Sequence, residues 1–139
     1  MTEYESTGIH MDCIVSMQVL MNIFEHNTPL HDGAIIVRGD RIVSATCYLP
    51  LSDNMGLSKE LGTRHRAAVG MSEVSDALIV VVSEETGAVS IAQSGRLKRD
   101  VSREELREAL VNIQNSKPEL KKWRFLRKGR RADERKTNE

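Results

Sequence analysis

Three short clusters in this sequence carry side chains suited to one kind of chemistry. Gly62-Thr63-Arg64-His65-Arg66-Ala67-Ala68 sets two guanidinium groups and an imidazole within three residues, ahead of small residues that suit a helix. With Thr63 as N-cap, the backbone N–H groups and the positive end of the helix dipole point the same way as the arginines, which favours a bound phosphate. His31-Asp32-Gly33 adds an acid and an imidazole beside a glycine that lets backbone approach a ligand. Ser83-Glu84-Glu85 adds a hydroxyl and two carboxylates. Nucleotidyl and phosphoryl transfer need this mixture: carboxylates hold a divalent cation or take a proton, and arginines neutralise phosphate oxygens. Each cluster alone also has a plainer reading, as a solvated helix face, a turn-forming Asp or a charged turn.

The elements that must position these clusters follow from periodicity. Residues 1–13 read as irregular. Ile14, Met17, Leu20, Met21 and Phe24 recur at helical spacing and predict a core-facing helix, capped by Ser16 or Asp12 and stopped at Asn27-Thr28-Pro29. Ile35–Val37 and Arg41–Tyr48 predict two strands joined through Gly39-Asp40 by a type II′ turn, so His31-Asp32-Gly33 stands at a strand entrance. Leu49-Pro50-Leu51 ends the second strand, and a helix runs from the Arg64 cluster to about Glu73. Ala77–Val82, continuously apolar, predicts a central strand that ends at Ser83-Glu84-Glu85, and Ala88–Ala92 returns beside it. Ser102 and Glu105 form a capping box, with Val101 and Leu106 as its staple, and Pro118 ends the helix they start.

Composition bounds the class. The chain has 139 residues, 40% hydrophobic and 29% charged, as expected of one globular domain. No apolar run is long enough to span a bilayer, and Glu3, Glu5 and Asp12 stand where a secretory leader would be basic. Two cysteines, Cys13 and Cys47, lack metal-type spacing and suggest a reduced interior. Net charge is zero, yet residues 117–139 hold ten Lys/Arg against four Asp/Glu, while residues 1–116 hold ten against sixteen. The expected division is therefore a folded body, 1–116, and a flexible basic tail, 117–139. There is no P-loop motif, no dinucleotide-binding GxGxxG and no GxSxG nucleophile elbow.

Leu30-His31-Asp32-Gly33-Ala34, Tyr48-Leu49-Pro50, Gly62–Ala68 and Ser83-Glu84-Glu85-Thr86-Gly87 resemble the diadenylate cyclase domain family, most closely its membrane-anchored bacterial type (CdaA). The resemblance covers roughly residues 2–113, in the family's order and spacing. It implies an α/β fold with a mixed central β-sheet flanked by helices. The family's domain usually opens with a helix and a strand, and Met1 begins just after where those should be, so the chain is either a fragment or a short version whose sheet lacks a strand. It implies condensation of two ATP into cyclic di-AMP with release of two pyrophosphates, assisted by Mg²⁺, Mn²⁺ or Co²⁺. Asp32 would activate the ribose 3′-hydroxyl, with Arg64 and His65 completing the catalytic set. Asp32, His31 and Glu85 would be metal ligands. Gly33, Ala34, Tyr48, Leu49, Gly62, Thr63, Arg64, His65, Arg66, Ser83 and Glu84 would bind the nucleotide, Tyr48 and Leu49 at the adenine.

A two-fold symmetric product made from one ATP per site requires two chains facing each other, in a dimer that opens for product release. A cytoplasmic domain of a membrane-anchored protein, with its anchor ahead of Met1 and a regulatory protein on its outer surface, follows from the same resemblance. Two other readings compete with it. One is a truncated, catalytically silent nucleotide-binding module. The other is a binder of nucleic acid or anionic membrane through Lys117–Lys136, the less expected because basic tails are commonly just solvated.

Overall fold

The computed structural model describes residues 2–54, 56–57, 59 and 61–115. Its strands fall into two three-stranded sheets. The first half of the chain builds helix α1 (Thr2–Glu5), strand β1 (Ile9–Ile14), helix α2 (Met17–Ile23) and strands β2 (Ala34–Arg38) and β3 (Arg41–Cys47). The strand order is β1-β3-β2. Gly39 takes φ +65°, the sign that the first position of a type II′ turn needs, and Arg38 and Arg41 pair across it. Ile36, Ile42, Ala45 and Cys47 are buried in this sheet, and α1 packs on β3. Arg41 reaches back to Asp12 at 2.7 Å and holds that carboxyl below its ordinary pKa.

The second half builds α3 (Thr63–Val74), β4 (Ile79–Val82), β5 (Val89–Gln93), β6 (Arg96–Lys98) and α4 (Arg103–Asn115), with strand order β4-β5-β6. Ala68 and Val69 of α3 pack on Val81 and Ala92, small residues that let the helix lie close to the sheet. Ser94 and Gly95, both at positive φ, turn the chain between Gln93 and Arg96. The capping box forms as expected. Ser102 N–H donates to Glu105 Oε1 at 2.8 Å, and Glu105 N–H donates to Ser102 Oγ at 3.1 Å.

The α/β class and the flanking helices match the expectation. The arrangement of strands is more particular than a single mixed sheet, for every described pairing is antiparallel. Links as short as Gly39-Asp40 and Ser94-Gly95 allow only hairpins. β4 is not central but stands at the edge of its sheet, with Val80 and Val82 exposed. Residues 1–13 are not irregular: they supply α1 and β1, and Ile14 ends β1 rather than opening a helix. The methionine stripe is not core either. Met17 and Met21 are 67% and 64% exposed, because α2 has only seven residues and buries Ile23 alone. The basic segment 117–139 lies outside the described residues.

Candidate functional site

The His31-Asp32-Gly33 corner is shaped by backbone geometry. Gly33 sits at φ +77°, and an added Cβ would lie 2.9 Å from both the Cys47 carbonyl oxygen and the Thr46 carbonyl carbon. Only glycine meets both demands. Thr46 itself adopts φ +54°, where β-branched residues are rarely found, beside a register shift between β2 and β3. Ala34 pairs with Cys47, so the corner lies against the end of β3, one residue before Tyr48. Tyr48 is 73% exposed and its backbone N–H donates to the Thr7 hydroxyl at 2.9 Å. Local pattern gave no hint of Thr7's role, since it lies in the segment that reads as irregular.

His31 Nδ1 is 2.8 Å from the Thr28 carbonyl oxygen. A carbonyl only accepts, so Nδ1 carries a proton and Nε2 is turned toward Asp32 Oδ1 at 3.2 Å. Asp32 is otherwise open, with its side chain 84% exposed. The described residues contain no group of three His, Cys, Asp or Glu side chains placed to hold a metal ion. Glu85, the expected third ligand, forms no such group with His31 and Asp32 among the described residues. It sits on the turn after β4, where its N–H donates to Ser83 Oγ at 3.2 Å.

The Arg64 cluster opens α3, but Thr63 is the first helical residue rather than the cap. Gly62 is the N-cap and offers no side-chain acceptor. An extended Gly62 (φ −84°, ψ −172°) places Thr63 inside the first turn, where its hydroxyl is not set to cap. That turn contains no acidic residue. Arg64 reaches Glu84 Oε1 at 3.4 Å, which ties the start of α3 to the turn after β4. In that turn Ser83 Oγ accepts from the N–H groups of Glu85 and Thr86. Two of the three clusters therefore meet directly. No ion pair among the described residues links Asp32 to Arg64. Two concavities, about 630 and 330 Å³, lie at the C-terminal end of α3 and along β6, and none of the candidate residues lines them.

Partial burial, and next the charge of Arg99, hold His65 below its ordinary pKa. Arg99 is a cation near the cluster that sequence spacing does not reveal, because it follows a strand the patterns missed. The unfolded chain binds a proton at His65 more readily than the folded one. Stability from this source is complete above the ordinary histidine value and is lost as pH falls through the depressed folded value. Thermal stability of the wild type is expected to fall on acidification from about pH 7 to about pH 5 more steeply than that of His65→Gln. Parallel pH profiles would contradict this.

Comparison with known proteins adds to the geometry. A family model described as DAC, the DisA bacterial checkpoint controller nucleotide-binding domain, matches residues 1–97. A diadenylate cyclase of Listeria monocytogenes is 54% identical over 129 residues, covering 89% of this chain and 47% of that protein. The cyclic di-AMP synthase CdaA of Bacillus subtilis is 56% identical over 110 residues, covering 79% and 40%. The crystal structure of a DacA double mutant from Staphylococcus aureus superposes with a TM-score of 0.78 at 54% identity, covering 80% of this chain and 74% of that one. A structure described as a hypothetical membrane spanning protein from Bacillus cereus gives 0.67 at 49% identity, covering 69% and 47%. The chain spans about half the length of the curated relatives it matches.

Proposed function

The chain belongs to the DAC family of bacterial nucleotide-binding domains, and from that premise we propose that it is a diadenylate cyclase. It condenses two ATP into cyclic di-AMP and releases two pyrophosphates. The observation that carries this reading is the start of α3. Its cap has no side-chain acceptor, its first turn has no acid, and Arg64 and Arg66 stand there at the positive end of the helix dipole. Cations at that end favour a neighbouring anion. Glu84 gives Arg64 one carboxylate at 3.4 Å, and a bound triphosphate would add more negative charge.

In this reading Gly62, Thr63, Arg64, His65 and Arg66 hold the phosphates, Ser83 adds its hydroxyl, and Glu84 steers Arg64 through their 3.4 Å contact. Tyr48 and Leu49 border the adenine, while Gly33 and Ala34 bring backbone close to the nucleotide. Asp32 takes the proton of the ribose 3′-hydroxyl. That oxygen attacks the α-phosphorus of the ATP on a facing chain, the bond to the bridging oxygen breaks, and pyrophosphate leaves. A second, symmetric attack closes the ring. Two chains presented face to face supply both nucleotides, and reopening of the dimer frees the product.

His31 and Asp32 fit a divalent cation. The Nδ1 proton bonded to Thr28 leaves Nε2 available beside a carboxylate, the usual way a ligating histidine is oriented. Mg²⁺, Mn²⁺ or Co²⁺ held there by His31 and Asp32 would supply further neutralisation of phosphate charge. We place the domain on the cytoplasmic side of a membrane-anchored protein that answers to a regulatory partner. The description of the B. cereus neighbour supports the anchor. No helix among the described residues is long and apolar enough to cross a membrane. Incubation with ATP and Mn²⁺ should yield cyclic di-AMP. ATP binding without product would instead identify a silent nucleotide-binding module.

A further inference from the structure

A short segment after β3 ties the first half of the chain to α3. After β3 the chain passes Tyr48 and Leu49 and crosses α3 along the stripe Arg66, Gly70 and Glu73, residues one helical turn apart. Ser52 N–H donates to the Arg66 carbonyl oxygen at 3.0 Å. Ser52 Oγ, buried at 6%, donates to Glu73 Oε2 at 2.8 Å and accepts from Asn54 N–H at 3.1 Å. Between these anchors the backbone presses on Gly70. An added Cβ there would collide with the Pro50 carbonyl oxygen and lie 2.9 Å from the Ser52 nitrogen. Gly70 is inside a regular helix, where glycine is less favourable than alanine. Its place is explained by the space this crossing needs, not by backbone conformation.

We infer that residues 50–52 form a strap that sets the distance between the base-binding end of β3 and the phosphate-binding start of α3, making Ser52, Gly70 and Glu73 positioning residues for the nucleotide. This rests on the assignment of those two ends under the proposed function. The strap reaches the phosphate side through the carbonyl of Arg66 itself, and the base side through the two residues that precede Pro50. Lifting it off α3 moves Tyr48 and Leu49 relative to Arg64 and His65 but leaves each set of contacts intact within its own half. ATP, which must touch both halves, senses the spacing. A ligand that consists of phosphates alone does not.

The test is calorimetry on the full chain with two probes, ATP and inorganic tripolyphosphate. Glu73→Ala removes the acceptor of the Ser52 hydroxyl on an exposed surface, and Gly70→Ala pushes the strap off the helix. Both are expected to weaken ATP about tenfold, Glu73→Ala by losing the tie to Ser52 and Gly70→Ala by displacing the strap, with tripolyphosphate affinity changed less than about twofold. Glu73→Gln, which still accepts from Ser52, should restore ATP affinity. Equal weakening of both probes would reduce the strap to general stability and overturn the inference, as would unchanged ATP affinity in Glu73→Ala. Wild-type protein that bound neither probe would instead remove the nucleotide assignment beneath it.

Discussion

Asp32→Asn is expected to lower the rate of cyclic di-AMP formation under the proposed function by about a thousandfold while ATP affinity stays within about threefold, the pattern of a lost general base. The substitution keeps size and hydrogen-bonding shape but removes the charge that accepts a proton. It leaves Gly33, whose positive φ and close approach to Thr46 and Cys47 fix the corner, untouched. His31 keeps its bond to the Thr28 carbonyl, so ring orientation is retained as well. A 3′-hydroxyl is a poor nucleophile at neutral pH. With Asp32 removed, the described residues show no carboxylate paired with His31 that could replace it. Single-turnover rates measured beside calorimetric affinities separate the two effects. Turnover within a few fold of wild type would remove Asp32 from the mechanism.

Arg64→Ala is expected to cost about a hundredfold in kcat/KM, comparable to deleting one preorganised donor to developing charge. Part of that loss is indirect. The Glu84 carboxylate, now 3.4 Å from the Arg64 guanidinium, would be left unpaired next to the phosphates and would repel them. The double variant Arg64→Ala/Glu84→Gln should therefore recover some of the loss, about fivefold, since the repulsion goes with the charge. Arg64→Lys keeps the charge but not the planar fork, and should fall between wild type and Arg64→Ala. Steady-state kinetics on the four proteins test this. Identical kcat/KM in the single and double variants would show that the Arg64–Glu84 contact has no part in phosphate binding.

Much of the scaffold was legible because its signals are local. The Gly39 hairpin, the Ser16 cap and the Ser102–Glu105 box each depend on a few neighbouring residues, and each forms as the pattern says. The clusters at Arg64 and Asp32 could be found from residue type and spacing, and their family resemblance agrees with the matching family model. What was not legible depends on tertiary context. Nothing in residues 1–13 announces β1, whose strand character comes from pairing with β3. Helical spacing of Met17, Met21 and Phe24 describes a face but cannot say whether anything covers it, and here those side chains stand exposed. Thr63 looked like a cap because it is the right residue type, yet Gly62 holds the extended geometry. Arg99, Thr7 and the Ser52 strap act across the fold, at sequence separations that no local pattern records.

Under the proposed function, one chain holds one ATP between its Arg64 and Asp32 ends and a second chain brings the other. Formation of cyclic di-AMP from ATP and Mn²⁺, measured across a dilution series of the protein, tests it most directly. Product is expected to form, with activity per chain falling in proportion to concentration once the dimer dissociates. Bound ATP with no cyclic di-AMP at any concentration, or activity per chain that stays constant down to the lowest dilution, would contradict it.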